Sequence, residues 1–222
     1  MPPVAPLRLA HRGDWRRAPE NSLAALLAGA RAPLSDGVEF DVRLSRDGVP
    51  VVIHDATLLR VQGVDAAVAE LNADTLHDHG VPCLEEVLAT LPRRAFLDVE
   101  LKEVPTPGTV AVLASGRGPE LHRAAVSSFD PEALRAMLHL APGWPRWLNA
   151  VFLDPSVLAM AQQLGCQAVA ALWKGITPAT ARLVHDAGLD LVAWTVRRRA
   201  TYARLERLAP LAICAEAAAL DG

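Results

Sequence analysis

Residues that can do chemistry stand at three places early in the sequence, each within or directly after a short apolar run. His11 and Arg12 follow the first run, Glu39 and Asp41 belong to the second, and His54 ends the third. Histidine exchanges a proton near neutral pH, arginine binds phosphate oxygens, and carboxylates bind divalent metal ions. Together these residue types indicate metal-assisted chemistry on a phosphate ester.

The elements that must position these residues follow a regular alternation of short apolar runs and helical patterns. The predicted barrel strands are 8–10, 37–42, 95–101, 124–128, 148–152, 168–172, 191–196 and 211–214. The predicted helices are 22–30, 84–90, 108–114, 131–140, 155–164, 178–187 and 199–208. Strands that alternate with helices of this length form parallel sheets through right-handed crossovers. We therefore predict an α/β fold, a single (β/α)8 TIM-type barrel.

A hairpin interrupts this alternation after the second barrel strand. Asp47-Gly48 is a turn signal between two apolar runs, and it predicts a short extra strand over 50–53. Residues 56–82 are the least regular part of the chain, and we expect a loop with one short helix there. The fold prediction is thus a barrel with a short β-hairpin excursion.

Length and composition narrow the class of protein. The chain has 222 residues, of which 51% are hydrophobic, enough for one large core and one domain over residues 1–222. The net charge is −3, so the chain lacks the surplus of basic residues that would indicate binding to nucleic acid or to an anionic membrane.

Cysteine usage and the absence of long apolar runs indicate a cytoplasmic location. Three scattered cysteines argue against a disulfide framework and favour a reducing compartment. The first predicted strand begins by Leu7, which leaves no room for a signal peptide. The sequence contains no apolar run of about 18 residues, so we expect no membrane span.

The acids suggest a metal site. Glu39 and Asp41 are two residues apart in one strand, so both side chains point to the same face. Glu100 ends another predicted strand and adds a third carboxylate. Three carboxylates suit one Mg²⁺ or Ca²⁺ ion, whereas zinc is disfavoured because no cysteine or paired-histidine spacing is present. The alternative is a solvated acid pair without function.

The histidines and two cations complete a candidate site for a phosphate ester. His11 and His54 can act as an acid–base pair, one taking a proton from the nucleophile and the other giving one to the leaving oxygen. Arg12 and Lys102 can neutralise phosphate oxygens.

Glu20 and Asn21 precede the first predicted helix, and the sequence allows two functional roles for them. Glu20 either adds a fourth oxygen ligand to the metal or, together with Asn21, holds the loop that carries the His-Arg pair. A plain helix cap is the structural alternative.

Several motifs occur in a fixed order along nearly the whole chain. The main ones are His11-Arg12-Gly13, Pro19-Glu20-Asn21-Ser22, Glu39-Phe40-Asp41-Val42, Asp47-Gly48 with His54-Asp55, and Glu100-Leu101-Lys102. Further matches are Leu84-Glu85-Glu86, Ser127-Ser128-Phe129-Asp130 and Trp194-Thr195-Val196. As an ordered set, these motifs resemble those of the glycerophosphodiester phosphodiesterases.

The resemblance implies a barrel enzyme that needs one divalent cation, Ca²⁺ or Mg²⁺. Members of the family cleave small-molecule glycerophosphodiesters to glycerol 3-phosphate and an alcohol. The resemblance assigns His11 and His54 as the acid–base pair. It assigns Glu39, Asp41 and Glu100 as metal ligands, with Glu20 as a possible addition. Arg12 and Lys102 would bind the phosphate, and Phe129 and Trp194 would line the substrate pocket. For the two aromatic residues the alternative is ordinary core packing.

The sequence departs from the family pattern at its closing strand. Glu216 stands where the family has a final Asp, and Arg197 follows the Trp-Thr-Val motif where Asn is common. Three alternatives stay open: a lysophospholipase D-type phosphodiesterase, a catalytically weak phosphoester-binding protein and a sugar-isomerase-like barrel. The sequence also leaves open which alcohol is the preferred leaving group, which metal is native and what the oligomeric state is.

Overall fold

The structure, a computed structural model, describes residues 5–221. In this range the strands are β1 (Leu7–His11), β2 (Gly37–Leu44), β3 (Pro50–Val52), β4 (Phe96–Leu101), β5 (Ala124–Ser128), β6 (Arg146–Ala150), β7 (Ala168–Leu172), β8 (Asp190–Val196) and β9 (Ala212–Ala215). The α-helices are α1 (Leu23–Ala30), α2 (Leu59–Gln62), α3 (Ala73–Asp78), α4 (Leu84–Thr90), α5 (Pro107–Arg117), α6 (Pro131–Leu140), α7 (Pro155–Gln163), α8 (Pro178–Asp186) and α9 (Arg199–Glu206).

Eight of the strands described in residues 5–221 form a closed parallel barrel. Their order is β1-β9-β8-β7-β6-β5-β4-β2, and parallel pairing of β1 with β2 closes the ring. β3 lies outside the ring and pairs with β2 in antiparallel register. The predicted TIM-type barrel and its hairpin excursion are therefore confirmed.

Polar caps and prolines start most of the helices that surround the barrel. Asp130, Asp154 and Thr177 each accept a hydrogen bond from a backbone N–H of the first helical turn, and each precedes a proline. In the part of the chain that the structure describes, none of the helices is both long and apolar enough to cross a membrane.

Apolar side chains fill the amino-terminal half of the barrel interior. Trp147 is fully buried there and stacks on Phe96, with ring centroids 5.7 Å apart. Leu9, Val192 and Cys214 belong to the same buried cluster. This floor excludes water from one end of the barrel, so the polar interior residues gather at the carboxyl ends of the strands.

Two local predictions are wrong. The strand predicted over 148–152 lies two residues earlier, because Arg146 enters the strand with its guanidinium bonded to the carbonyls of Trp144, Leu164 and Gly165. Phe152, which looked like part of the strand, is 75% exposed on the following loop. Residues 56–82 hold the short helices α2 and α3 and a 3-10 turn rather than one short helix.

Candidate active site

A cavity of about 520 Å³ opens at the carboxyl ends of the barrel strands. The predicted site residues that line it are His11, Arg12, Glu20, Glu39, His54, Glu100, Lys102, Phe129 and Trp194. Asp41, the remaining predicted residue, is fully buried and lies against Arg12 and Lys102. The structure thus brings together residues from β1, β2, β4 and β8 and from the loops that follow β1, β3, β4 and β5.

Three carboxylates form a compact cluster at this cavity. Glu39 and Asp41 lie on β2 and face the same side, and Glu100 on β4 is the direct register partner of Asp41. Oxygen atoms of the three side chains lie within 4.8 Å of one another, and all three residues are buried. Parallel strand pairing therefore produces the cluster that the sequence spacing suggested.

The electrostatics of the cluster favour a bound cation. Burial raises the pKa of Glu39 well above its usual value, and the nearby charge of Asp41 raises it further. Burial and Asp41 also raise the pKa of Glu100. Atom Oε1 of Glu39 is buried and has no hydrogen-bond partner among the residues described. An oxygen-ligated divalent cation fits these residues because it would offset their repulsion and pair the orphaned oxygen.

Arg12 and Lys102 place positive charge against the cluster. Arg12 Nε lies 3.2 Å from Asp41 Oδ2, and Lys102 Nζ lies 3.2 Å from Asp41 Oδ1 and also contacts Glu100. Burial acts to raise the pKa of Asp41, but Lys102 and Arg12 outweigh it and hold the pKa below its ordinary value. Asp41 is therefore the carboxylate of the three that is most firmly ionised.

The loop after β1 is held in an unusual backbone conformation. Arg12 has a φ of 55°, and its backbone N–H donates to the carbonyl oxygen of Glu39 at 2.9 Å. Gly13 has a φ of 80°, and a Cβ atom there would lie 2.4 Å from the backbone of Ala25 in α1. Only glycine fits this approach, so packing against α1 requires the glycine that follows the His-Arg pair.

Glu20 and Asn21 both contact the site, in different ways. Glu20 Oε1 accepts from Arg12 Nη1 at 2.9 Å, and both of its carboxylate oxygens accept from Arg60. Asn21 Nδ2 donates to Asp41 Oδ2 at 2.8 Å. Glu20 is not one of the three clustered carboxylates, and its own carboxylate is bound to Arg12 and Arg60.

His11 is oriented by Glu216, the acid that directly follows the closing strand β9. Its Nδ1 lies 2.5 Å from Glu216 Oε1, and its Nε2 lies 3.8 Å from Glu39 Oε2. The His11 contact holds the pKa of Glu216 below its usual value against the effect of burial, which acts to raise it. An ionised carboxylate can only accept, so Nδ1 of His11 carries the proton and donates.

His54 is oriented in the same manner by its neighbour. Its Nδ1 lies 2.6 Å from Asp55 Oδ1, and Asp55 in turn accepts from Arg60 Nε at 2.5 Å. The Arg60 hydrogen bond lowers the pKa of Asp55 to about 2. Burial lowers the pKa of His54. The ring is therefore neutral near pH 7, with Nδ1 protonated by the same argument.

Two aromatic residues, Phe129 and Trp194, line the cavity together with the charged groups. Phe129 and Trp194 meet edge to face with ring centroids 5.3 Å apart, and Trp194 Nε1 donates to the carbonyl of Ala170. Phe129 is 44% exposed, so it is not an ordinary core residue. Lys102 Nζ lies 6.0 Å from the centroid of the Phe129 ring, so apolar and charged groups line the cavity side by side.

Sequence reasoning missed several residues that line the cavity. Arg60 and Asn149 gave no signal in the sequence, and Arg197 and Glu216 were noted only as departures from a family pattern. Asp98 lies two residues before Glu100 and therefore faces the same interior, a spacing that did carry a signal. Burial raises the pKa of Asp98 to about 7.

The arrangement can bind and cleave a phosphate ester. Three acids can hold a cation, two cationic side chains can bind phosphate oxygens, and two histidines with fixed tautomers can move protons. Phe129 and Trp194 can pack against the carbon skeleton of a substrate.

Comparison with known proteins points to one family. The sequence model of the glycerophosphoryl diester phosphodiesterase family matches residues 11–218. The chain is 31% identical over 213 residues to the probable glycerophosphodiester phosphodiesterase 2 of Mycobacterium tuberculosis, covering 86% of this chain and 79% of that protein. It is 29% identical over 219 residues to the glycerophosphodiester phosphodiesterase of Caldanaerobacter subterraneus, covering 90% and 89% of the two chains.

A solved structure has the same fold. The phosphodiesterase of Oleispira antarctica, determined in complex with the product sn-glycerol-3-phosphate, superposes with a TM-score of 0.81 at 24% identity, covering 95% of this chain and 93% of that one. With the family match extending over nearly the whole barrel, the chain belongs to the glycerophosphoryl diester phosphodiesterase family of phosphoric diester hydrolases.

Proposed function

We propose that this protein is a metal-dependent enzyme that hydrolyses glycerophosphodiesters to glycerol 3-phosphate and an alcohol. The observation that carries the proposal is the gathering of three carboxylates, two histidines and two cations around a single cavity. The cavity lies at the carboxyl end of the barrel, where enzymes with this fold carry their active sites. Membership of the family supports the reaction class.

Glu39, Asp41 and Glu100 are the proposed metal ligands, with Glu20 holding the loop. Their oxygen atoms suit Ca²⁺ or Mg²⁺ equally in type, and the choice depends on coordination number and distances. A bound cation would neutralise charge on the phosphate and lower the pKa of a substrate hydroxyl. Glu39 and Glu100, whose pKa values are raised by burial and by Asp41, would give up any proton they hold on binding it, because the cation's charge would offset the repulsion among the ionised acids.

His11 and His54 are the proposed proton-transfer pair. One takes the proton of the glycerol hydroxyl next to the ester while that oxygen attacks phosphorus. The other, carrying a proton on both ring nitrogens, gives its Nε2 proton to the alcohol oxygen as the bond of that oxygen to phosphorus breaks, and a cyclic phosphate forms. Water then opens the cyclic phosphate to glycerol 3-phosphate. Since Nδ1 of each ring is bound to a carboxylate, Nε2 is the nitrogen that serves the substrate.

Arg12 and Lys102 are the proposed phosphate-binding residues. Burial acts to lower the pKa of each, but nearby carboxylates outweigh it, Asp41 above all, so the pKa of each lies above its ordinary value. Both side chains therefore stay charged at any working pH. Their charges can neutralise the non-bridging oxygens while the phosphorus centre changes geometry.

Alanine variants of the two histidines test the proposal. His11→Ala and His54→Ala should each lower kcat for glycerol 3-phosphate release by about 100-fold or more, the usual contribution of a positioned acid or base. His185→Ala removes an exposed histidine of α8 and should leave the rate unchanged. Near-normal activity in either of the first two variants would contradict the acid–base assignment.

A groove beside the cavity, lined in part by exposed apolar residues, favours a second candidate substrate. The groove has a volume of about 290 Å³ and shares Phe129 and Asn149 with the cavity. Val151, Phe152 and Met160 also line it and are exposed. A lysophospholipid presents a phosphoglycerol group and one long chain, which matches the charged and apolar residues of this opening. We therefore propose lysophospholipase D-type cleavage as the alternative activity.

A groove variant separates the two substrates. Each methylene that leaves water contributes about 0.8 kcal/mol, so a chain of several carbons on Phe152 would lower KM markedly. Phe152→Ser should raise KM for lysophosphatidylcholine and leave hydrolysis of glycerophosphocholine unchanged. Equal effects on both substrates, or none on either, would rule out the groove as a chain-binding site.

A further inference from the structure

Besides His54, the segment between β3 and α4 contributes one side chain to the lining of the cavity. Arg60 on α2 lines the cavity, and its side chain is 49% exposed. The assignments of acids, histidines and phosphate-binding cations above leave this residue without a role.

The guanidinium of Arg60 joins two separate parts of the chain. Nε donates to Asp55 Oδ2 at 2.5 Å, while Nη1 and Nη2 donate to the two oxygens of Glu20 at 3.0 and 2.6 Å. Asp55 Oδ1 accepts from His54 Nδ1, and Glu20 Oε1 accepts from Arg12 Nη1. A continuous row of contacts therefore runs from His54 through Arg60 to the loop after β1.

His54 needs such support because it does not stand on a barrel strand. It follows β3, a three-residue strand held to the edge of β2 by three paired residues. Arg43 Nε donates to the backbone carbonyl of His54 at 2.9 Å, which anchors the main chain but leaves the ring free to turn. Asp55 fixes the ring, and Asp55 itself is on a loop.

We propose that Arg60 is a positioning residue that holds Asp55, and through it the imidazole of His54, against the Glu20 side of the cavity. This inference rests on the proposed role of His54 in proton transfer. The planar fork of Arg60 suits the task, because bidentate arginine–carboxylate pairs fix direction as well as distance. Three of its N–H groups bind carboxylate oxygens of Asp55 and Glu20, which fixes the guanidinium between these two residues.

Steady-state kinetics of matched arginine variants test the proposal. Arg60→Met should lower kcat about 10- to 100-fold with KM changed less than about twofold, because small misplacements of a reacting group cost up to about 100-fold in rate. Arg60→Lys should recover only part of this loss, since a point charge cannot bridge two carboxylates. Arg46→Met is the control: Arg46 Nε donates to Asn72 Oδ1 within the same excursion and does not touch His54.

A double-mutant cycle with Asp55→Asn locates the effect. If Arg60 acts through Asp55, Arg60→Met should lower kcat much less in the Asp55→Asn background than in the wild type. Additive losses would overturn the proposal. So would a large rise in KM at unchanged kcat, which would mean direct substrate contact, or an equal loss in Arg46→Met, which would mean general loosening of the segment.

A spectroscopic measurement tests the positioning without using activity. In protein labelled with ¹⁵N at histidine, the Nδ1–H signal of His54, assigned by its loss in His54→Ala, should broaden or disappear in Arg60→Met while that of His11 is unchanged. An unchanged His54 signal would contradict the proposal. If instead the wild type fails to hydrolyse any glycerophosphodiester, the proposed function fails while this signal still decides the role of Arg60.

Discussion

Replacement of Glu216 by glutamine tests whether the closing strand orients a catalytic histidine. Glu216 is 5% exposed, and its Oε1 lies 2.5 Å from His11 Nδ1. The substitution keeps size and shape but removes the charge that fixes the tautomer of His11. A hydrogen bond to a charged group contributes about 1.5–3 kcal/mol. Since each 1.36 kcal/mol is about tenfold in rate, Glu216→Gln should lower kcat roughly 10- to 150-fold.

Initial rates of glycerol 3-phosphate release measure this effect, with thermal melting to confirm that the variant is folded. Arg197→Met is the matched control. Arg197 Nε lies 2.6 Å from Glu216 Oε2, but the Arg197 side chain is 71% exposed, and such pairs contribute about 0–1 kcal/mol. The Arg197→Met substitution should therefore lower kcat at most about fivefold. A kcat of Glu216→Gln within about threefold of the wild type would contradict an orienting role for Glu216.

Three further predictions concern the metal site and the core. Glu39→Gln combined with Asp41→Asn should weaken Ca²⁺ or Mg²⁺ binding at least about 100-fold in calorimetric titration. The reason is that one charge pair about 4 Å apart contributes about 4 kcal/mol at an effective dielectric constant of about 20. Unchanged affinity would show that these two acids do not bind the metal. The raised pKa of Asp98, about 7 against an ordinary 3.8, means that its contribution to stability is present below 3.8 and is lost as pH rises through about 7. Asp98→Asn should therefore raise the melting temperature in EDTA more at pH 8 than at pH 5, and an equal gain at both would contradict this. Trp147→Ala should cost about 3–5 kcal/mol in urea unfolding through the cavity left beside Phe96, and a loss below about 1 kcal/mol would show that the barrel floor repacks.

The barrel could be predicted because its signals are local. Apolar runs and capped helices alternate along the chain, and few folds satisfy that order with parallel strands. The position of Glu39 next to Asp41 was also predictable, because side chains two residues apart in a strand share a face. Pairing of β2 with β4 was needed to bring Glu100 to them, and this followed once the barrel was assumed.

The supports of the two histidines could not be predicted, because they depend on contacts between distant parts of the chain. Glu216 reaches His11 across 205 positions through closure of the barrel, and Arg60 reaches Glu20 across 40 positions. Residues 56–82 lack periodicity, so nothing in the sequence indicated that Arg60 faces the cavity. The shift of β6 has a similar origin, since the bonds of Arg146 to backbone carbonyls are tertiary contacts.

The most direct test is release of glycerol 3-phosphate from glycerophosphocholine by the purified protein, before and after EDTA treatment and again with added Ca²⁺ or Mg²⁺. The carboxylate cluster predicts activity that EDTA abolishes and that one of the two cations restores. Activity that survives complete removal of metal would contradict the metal-dependent mechanism. No release under any of these conditions, together with no release of choline from lysophosphatidylcholine, would contradict the proposed hydrolysis and favour a phosphoester-binding protein.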